Sequence, residues 1–179
     1  TRRAEARDAA IDYGLHVLIT DLPPGYEEDI AVLEELGTPS AKLYTTYRPN
    51  YYVDDATLLR LMGACAEYGV LPLVHCENDD LVTAQTASVE AAGRTGWSYH
   101  GVSRPALAEQ EAIQRVLFLA EAADSPVHIC HCSTARSVAL VTEAVDLAGE
   151  LAIDALELVE FGLTLHEIGA LVEPGLDRQ

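Results

Sequence analysis

Short apolar runs rich in β-branched residues alternate along the chain with longer stretches whose apolar positions recur at helical spacing. Residues 14–20 predict a first buried strand. Residues 26–36 predict a helix, acidic at its start through Glu27, Glu28 and Asp29 and stopped at Gly37. Residues 41–47 predict a second strand. After a turn at Pro49 and Asn50, Asp54 or Asp55 caps a helix whose Leu58, Leu59, Met62, Cys65 and Ala66 fall on one side and which ends at Gly69. Residues 70–75 predict the third strand. Helices over 80–92 and 104–123 follow, the second with Pro105 in its first turn, then a fourth strand over 126–131 and a helix over 134–147.

Strands that are apolar on both faces and separated by helices indicate parallel β/α units, an α/β fold. Four such units occupy about 150 residues, whereas a closed eightfold barrel needs ~250. The expected architecture is therefore a small open sheet or part of a TIM-type (β/α)8 barrel, about four of its eight units, over residues 1–148. Past Gly149 the pattern changes to two short apolar helical stretches, 151–161 and 163–171, joined at Gly162. Residues 149–179 are read as a helical tail outside the β/α units.

Composition narrows the function classes. The 179 residues carry a formal charge of -18, from 29 acidic side chains against 11 basic ones, which repels phosphate backbones and anionic lipid surfaces. Nucleic acid and membranes are not expected partners. No apolar run approaches the ~18 residues a membrane span needs, and the basic start at Arg2 and Arg3 leads into Glu5 and Asp8, not into a signal-like apolar stretch. A cytoplasmic protein is expected. Four cysteines, Cys65, Cys76, Cys130 and Cys132, are too few for a disulfide scaffold and are read as reduced thiols. Ten of the 11 basic residues are arginines, and the remaining one is Lys42. A position that departs from so consistent a usage points to a need for an amine, which can lose its proton or be modified where a guanidinium cannot.

In parallel β/α sheets reactive groups collect at the C-terminal strand ends. Lys42 lies in the second predicted strand, His75 ends the third and His131 the fourth. Strict alternation places His75 with Leu73 and Leu71, and His131 with Ile129, opposite His128, Cys130 and Cys132. Adjacent strand residues diverge, so a zinc site made of Cys-His-Cys neighbours is disfavoured and two imidazoles facing one interior are favoured. Tyr47, Tyr51 and Tyr52 are read as rim packing and the acidic helix faces as solvated surface. Residues 93–101, with Trp97 and His100, are read as a flexible loop, with an active-site lid as the alternative.

The ordered set of Lys42 to Tyr47, His75 to Asn78, Arg104-Pro105, Glu109, Glu111, Arg115 and Val127 to Ser133 resembles the central part of the cyclic-amide amidohydrolases. Hydantoinases and dihydropyrimidinases are the nearest in pattern, with allantoinases and dihydroorotases next. The resemblance spans residues 10–148, with 33 residues from Lys42 to His75 and 56 from His75 to His131. It implies a lysine at the position of Lys42 that takes up carbon dioxide to form a carbamate bridging two divalent metals, usually zinc. His75 and His131 would ligate one of them, and a metal-bridging hydroxide would open a small-molecule cyclic amide. Tyr47 would stand over the developing oxyanion, where one donor is worth ~3–4 kcal/mol. Asn78 is a candidate to orient the histidine loop, without a catalytic part.

The chain also departs from the family pattern. No His-x-His pair precedes Lys42, where His16 stands alone, and Asp154 and Asp177 lack a strand-end context for the family's aspartate. The expectation is therefore the central part of a hydrolase, either an excerpt of a longer enzyme or a truncated product. The alternatives are a non-catalytic, dihydropyrimidinase-like scaffold and an open-sheet binding module. Half a barrel leaves two sheet edges unpaired, so a homo-oligomer is expected.

Overall fold

The computed structural model describes residues 2–148. The tail 149–179, with the helical stretches expected in it, lies outside the described residues. After a helical turn, α1 (Arg2–Glu5), the chain builds β1 (Val17–Leu18), α2 (Tyr26–Ala31), β2 (Ser40–Tyr44), α3 (Asp55–Tyr68), β3 (Leu71–His75) and α4 (Asp79–Ala91). A short helix α5 (His100–Ser103) precedes α6 (Ala106–Ala122), β4 (His128–Ile129) and α7 (Ala135–Ala148). No helix among the described residues is long and apolar enough to cross a membrane.

All four strands are parallel and lie in the order β1-β2-β3-β4. Each right-handed crossover in such a sequential order delivers its helix to the same side of the sheet. The core shows the result: Leu43, Val74 and Ile129 pack with Leu58, Leu61 and Met62 of α3, Ile113 and Val116 of α6 and Val141 of α7. Burying each of these side chains contributes ~1.5–3 kcal/mol. Helices on one face and a sequential strand order describe a segment of a β/α barrel, about four of its eight units, and not a doubly wound sheet, whose order reverses.

Local chemistry sets the helix limits. Asp54, not Asp55, caps α3, its carboxylate accepting from the Thr57 amide at 2.8 Å. At the other end Gly69 sits at φ 67, and the Val70 amide donates to the Cys65 carbonyl at 2.9 Å. That closure needs a residue tolerant of the left-handed region. The buried face of α3 runs through Leu58, Leu61, Met62, Ala64 and Cys65, so the expected Leu59 is exposed and Leu61 takes its place.

Several expected limits shift. α2 ends at Ala31, and the chain continues in turns until the Thr38 amide reaches the Leu33 carbonyl at 3.0 Å. The predicted strand over 41–47 stops at Tyr44, and that over 126–131 contracts to His128–Ile129. Pro105 stands before α6 in an extended conformation, not in its first turn, because proline restricts the preceding Arg104 to a non-helical backbone. The expected loop over 93–101 holds a 3-10 turn, Trp97–Tyr99, and runs into α5.

Candidate active site

The register of the central strands assembles one chemically active face. Lys42 lies beside Leu73 and Leu73 beside His128, while Tyr44 lies beside His75. Because Leu43, Val74 and Ile129 occupy the helix-packed face, Lys42, Tyr44, His75, His128 and Cys130 belong to the opposite one. In a barrel that face is the interior.

Strict alternation is corrected at His131. Continued as a strand, residue 131 would follow Ile129 toward the helices, while Cys130 would share the face of Lys42. Cys130 does so: the Lys42 amine donates to its sulfur at 2.8 Å. His131 escapes the helix side because β4 ends at Ile129 and His131 adopts φ 39, which turns its ring across the strand end. The rings of His75 and His131 meet edge to face, 4.6 Å between centroids, with His75 Nδ1 3.2 Å from His131 Nε2. The two imidazoles share one interior, but a backbone turn and not the strand pleat brings the second one there.

The opposite nitrogen of His75 is anchored. Its Nε2 lies 2.8 Å from the Glu77 carboxylate, and the Arg104 guanidinium forms an ion pair with the same Glu77 oxygen. Burial by itself would raise the Glu77 pKa; the hydrogen bond with His75 and the charge of Arg104 outweigh it and hold the carboxyl below its ordinary value. Beneath it, fully buried Thr45 accepts from the Glu77 amide at 3.0 Å and donates to the Glu77 carbonyl at 2.9 Å.

Tyr47 leaves the sheet at φ 73, which brings its ring to 5.3 Å from that of His75 and 5.7 Å from that of Tyr44. Arg104 lies over the Tyr47 ring at 5.1 Å. Burial raises the phenol pKa above its ordinary value and Arg104 opposes the rise, so the hydroxyl stays protonated at neutral pH. Lys42 reaches the same cluster through Tyr44, its amine 5.1 Å from that ring, which in turn lies 5.3 Å from His75. Tyr52 instead stacks under Arg48 at 3.9 Å, outside this cluster. Asn78 caps α4 by accepting from the Leu81 amide at 3.0 Å, a structural task. His16 is engaged with Ser40 at 2.6 Å.

Glu77, Arg104, Thr45 and Cys130 lie within the motifs that carry the resemblance, but the sequence assigned them no role in the site. Glu77 had a signal, since a carboxylate two residues after a strand-end histidine is within reach of its ring. Arg104 and Thr45 act through tertiary contacts that no local pattern marks.

The donor set suits a borderline-soft divalent metal in part. Among the described residues no three His, Cys, Asp or Glu side chains are grouped to hold an ion. Two imidazole nitrogens 3.2 Å apart nevertheless match the ~3.3 Å separation of neighbouring ligands on a tetrahedral zinc. The Glu77 contact is the carboxylate partner that metal-bound histidines ordinarily have. A third donor would be Lys42 once carboxylated.

No family model matches the chain. Curated relatives do: the D-hydantoinase of Rhizobium radiobacter is 39% identical over 129 residues, 72% of this chain and 28% of its own length. That of Geobacillus stearothermophilus is 36% identical over 137 residues, 76% of this chain and 29% of its own. Among solved structures, the dihydropyrimidinase of Brevibacillus agri superposes with a TM-score of 0.77 at 30% identity, over 84% of this chain and 34% of that one. A structure described as D-hydantoinase gives 0.74 at 36% identity, over 80% and 31%. The chain thus carries four parallel β/α units of an amidohydrolase-type barrel. It is related to the hydantoinases and corresponds to their central part, spanning about a third or less of the length of these relatives.

Proposed function

We propose that this chain supplies the central part of a metal-dependent hydrolase that opens a cyclic amide of the hydantoin or dihydropyrimidine type. The observation that carries the reading is the pairing of His75 Nδ1 with His131 Nε2 at 3.2 Å on the face that also bears Lys42, in a chain related to hydantoinases. In this reading His75 and His131 would hold one metal, and Lys42, once carboxylated by carbon dioxide, would supply a further anionic ligand to the metal pair. Two divalent metals, zinc being favoured by the imidazole donors, would activate water near neutral pH and polarise the amide carbonyl.

The other roles fall to the chain's own groups. Carboxylation requires the unprotonated Lys42 amine as nucleophile, and arginine offers no equivalent. The Cys130 sulfur, already in contact with that amine, is a neighbour the carbamate must displace. Tyr47, protonated and adjacent to His75, would donate its O–H to an oxyanion developing on the substrate carbonyl, a role its ring contact with His75 supports.

The test is metal analysis and turnover of hydantoin and dihydrouracil by the full-length protein. Roughly two zinc equivalents per chain, lost together with activity in Lys42→Ala and Lys42→Arg, are expected. Metal-free protein that folds and turns over neither ring would instead favour the non-catalytic scaffold.

A further inference from the structure

Glu77 has no catalytic part above, yet it is held on every side. Its carboxylate meets His75 Nε2 at 2.8 Å and pairs with Arg104, with only 14% of the side chain exposed. Its amide and carbonyl are both bound by the hydroxyl of Thr45. We propose that Glu77 is the positioning residue of this site, fixing the tautomer and orientation of His75 and, through Arg104, coupling that ring to Tyr47. The proposal rests on the reading of His75 as a metal ligand.

The argument is one of donors and acceptors. An ionised carboxylate only accepts, so the ring nitrogen 2.8 Å away must carry the proton. A neutral imidazole has a single N–H, which leaves Nδ1 with its lone pair directed at His131 Nε2. Without Glu77 the ring can exchange tautomers and rotate, and each change removes the lone pair from the interior. Arg104 extends the control: it bonds Glu77 and lies 5.1 Å over the ring of Tyr47. One guanidinium from the turn before α6 thus fixes both the histidine anchor and the phenol. Thr45 keeps the Glu77 main chain from shifting away.

The test uses full-length protein with 15N-labelled histidine, compared as wild type, Glu77→Ala and Glu77→Gln. In the metal-free wild type, His75 should show a single Nε2–H tautomer, and Glu77→Ala should show a mixture. Zinc affinity, measured by chelator competition, should weaken ~10–100-fold in Glu77→Ala and less in Glu77→Gln, which keeps a neutral acceptor. Activity should fall in kcat with little change in KM. A folded Glu77→Ala with an unchanged His75 tautomer and zinc affinity within about twofold of wild type overturns the proposal. If the alanine variant does not fold, the glutamine variant carries the same comparison. If the wild type takes up no zinc, the metal reading fails by itself, while the tautomer comparison still decides whether Glu77 holds His75.

Discussion

Replacing Thr45 by valine keeps the shape of a fully buried side chain and removes only its hydroxyl. That oxygen accepts from the Glu77 amide at 3.0 Å and donates to the Glu77 carbonyl at 2.9 Å, with the His75 carbonyl a longer alternative at 3.2 Å. Valine leaves the Glu77 amide without its partner, and an unsatisfied buried group costs ~1–3 kcal/mol. The contrast variant is Thr45→Ser, which keeps both bonds and loses one methyl, at about 1 kcal/mol. A loss of ~2 kcal/mol lowers Tm by ~4–8 °C in a chain of this size. Urea and thermal unfolding of the three proteins measure it, and the expected stability order is wild type, then serine, then valine. Valine as stable as wild type, or more stable than serine, refutes the assignment of the hydroxyl as the clamp on Glu77.

Other consequences are independent of that clamp. Asp54→Ala removes the cap on the Thr57 amide and should destabilise by about 1 kcal/mol, read by urea unfolding, whereas Asp54→Asn should cost only a fraction of that. Burial pushes the Cys65 and Cys132 thiols up to about 12, with Glu109 adding to the effect at Cys132. Iodoacetamide at neutral pH should therefore label both on the order of a thousandfold more slowly than a free thiol, and denaturation should abolish the difference in mass-spectrometric labelling. Because the Glu77 pKa is lowered on folding, its contribution to stability is present above the ordinary carboxylate range and disappears as pH falls through the folded value. The stability gap between wild type and Glu77→Gln should accordingly be constant near pH 7 and close below about pH 4.

Read by itself, the chain determined the β/α alternation, a helix start at Asp54 or Asp55 and its stop at Gly69, the apolar strands that become Leu43, Val74 and Ile129 of the core, and the singular amine at Lys42. These are local or periodic properties, governed by hydrophobic spacing and backbone preference, so they can be read one residue after another. His75 was also legible, as a strand-end residue on an unbroken pleat. His131 was legible as its partner in one interior, but not the way it gets there: the pleat grouped it with Ile129, and the early end of β4 and the turn at φ 39 that redirect its ring depend on what the strand end packs against. Tyr47 likewise reaches His75 only because it leaves the strand at φ 73. Glu77, Arg104 and Thr45 join through separations of 27 and 32 residues, which a sequence pattern does not encode. Tertiary structure decided those contacts because they depend on where separate β/α units come to rest on one another, and packing of the shared core settles that placement.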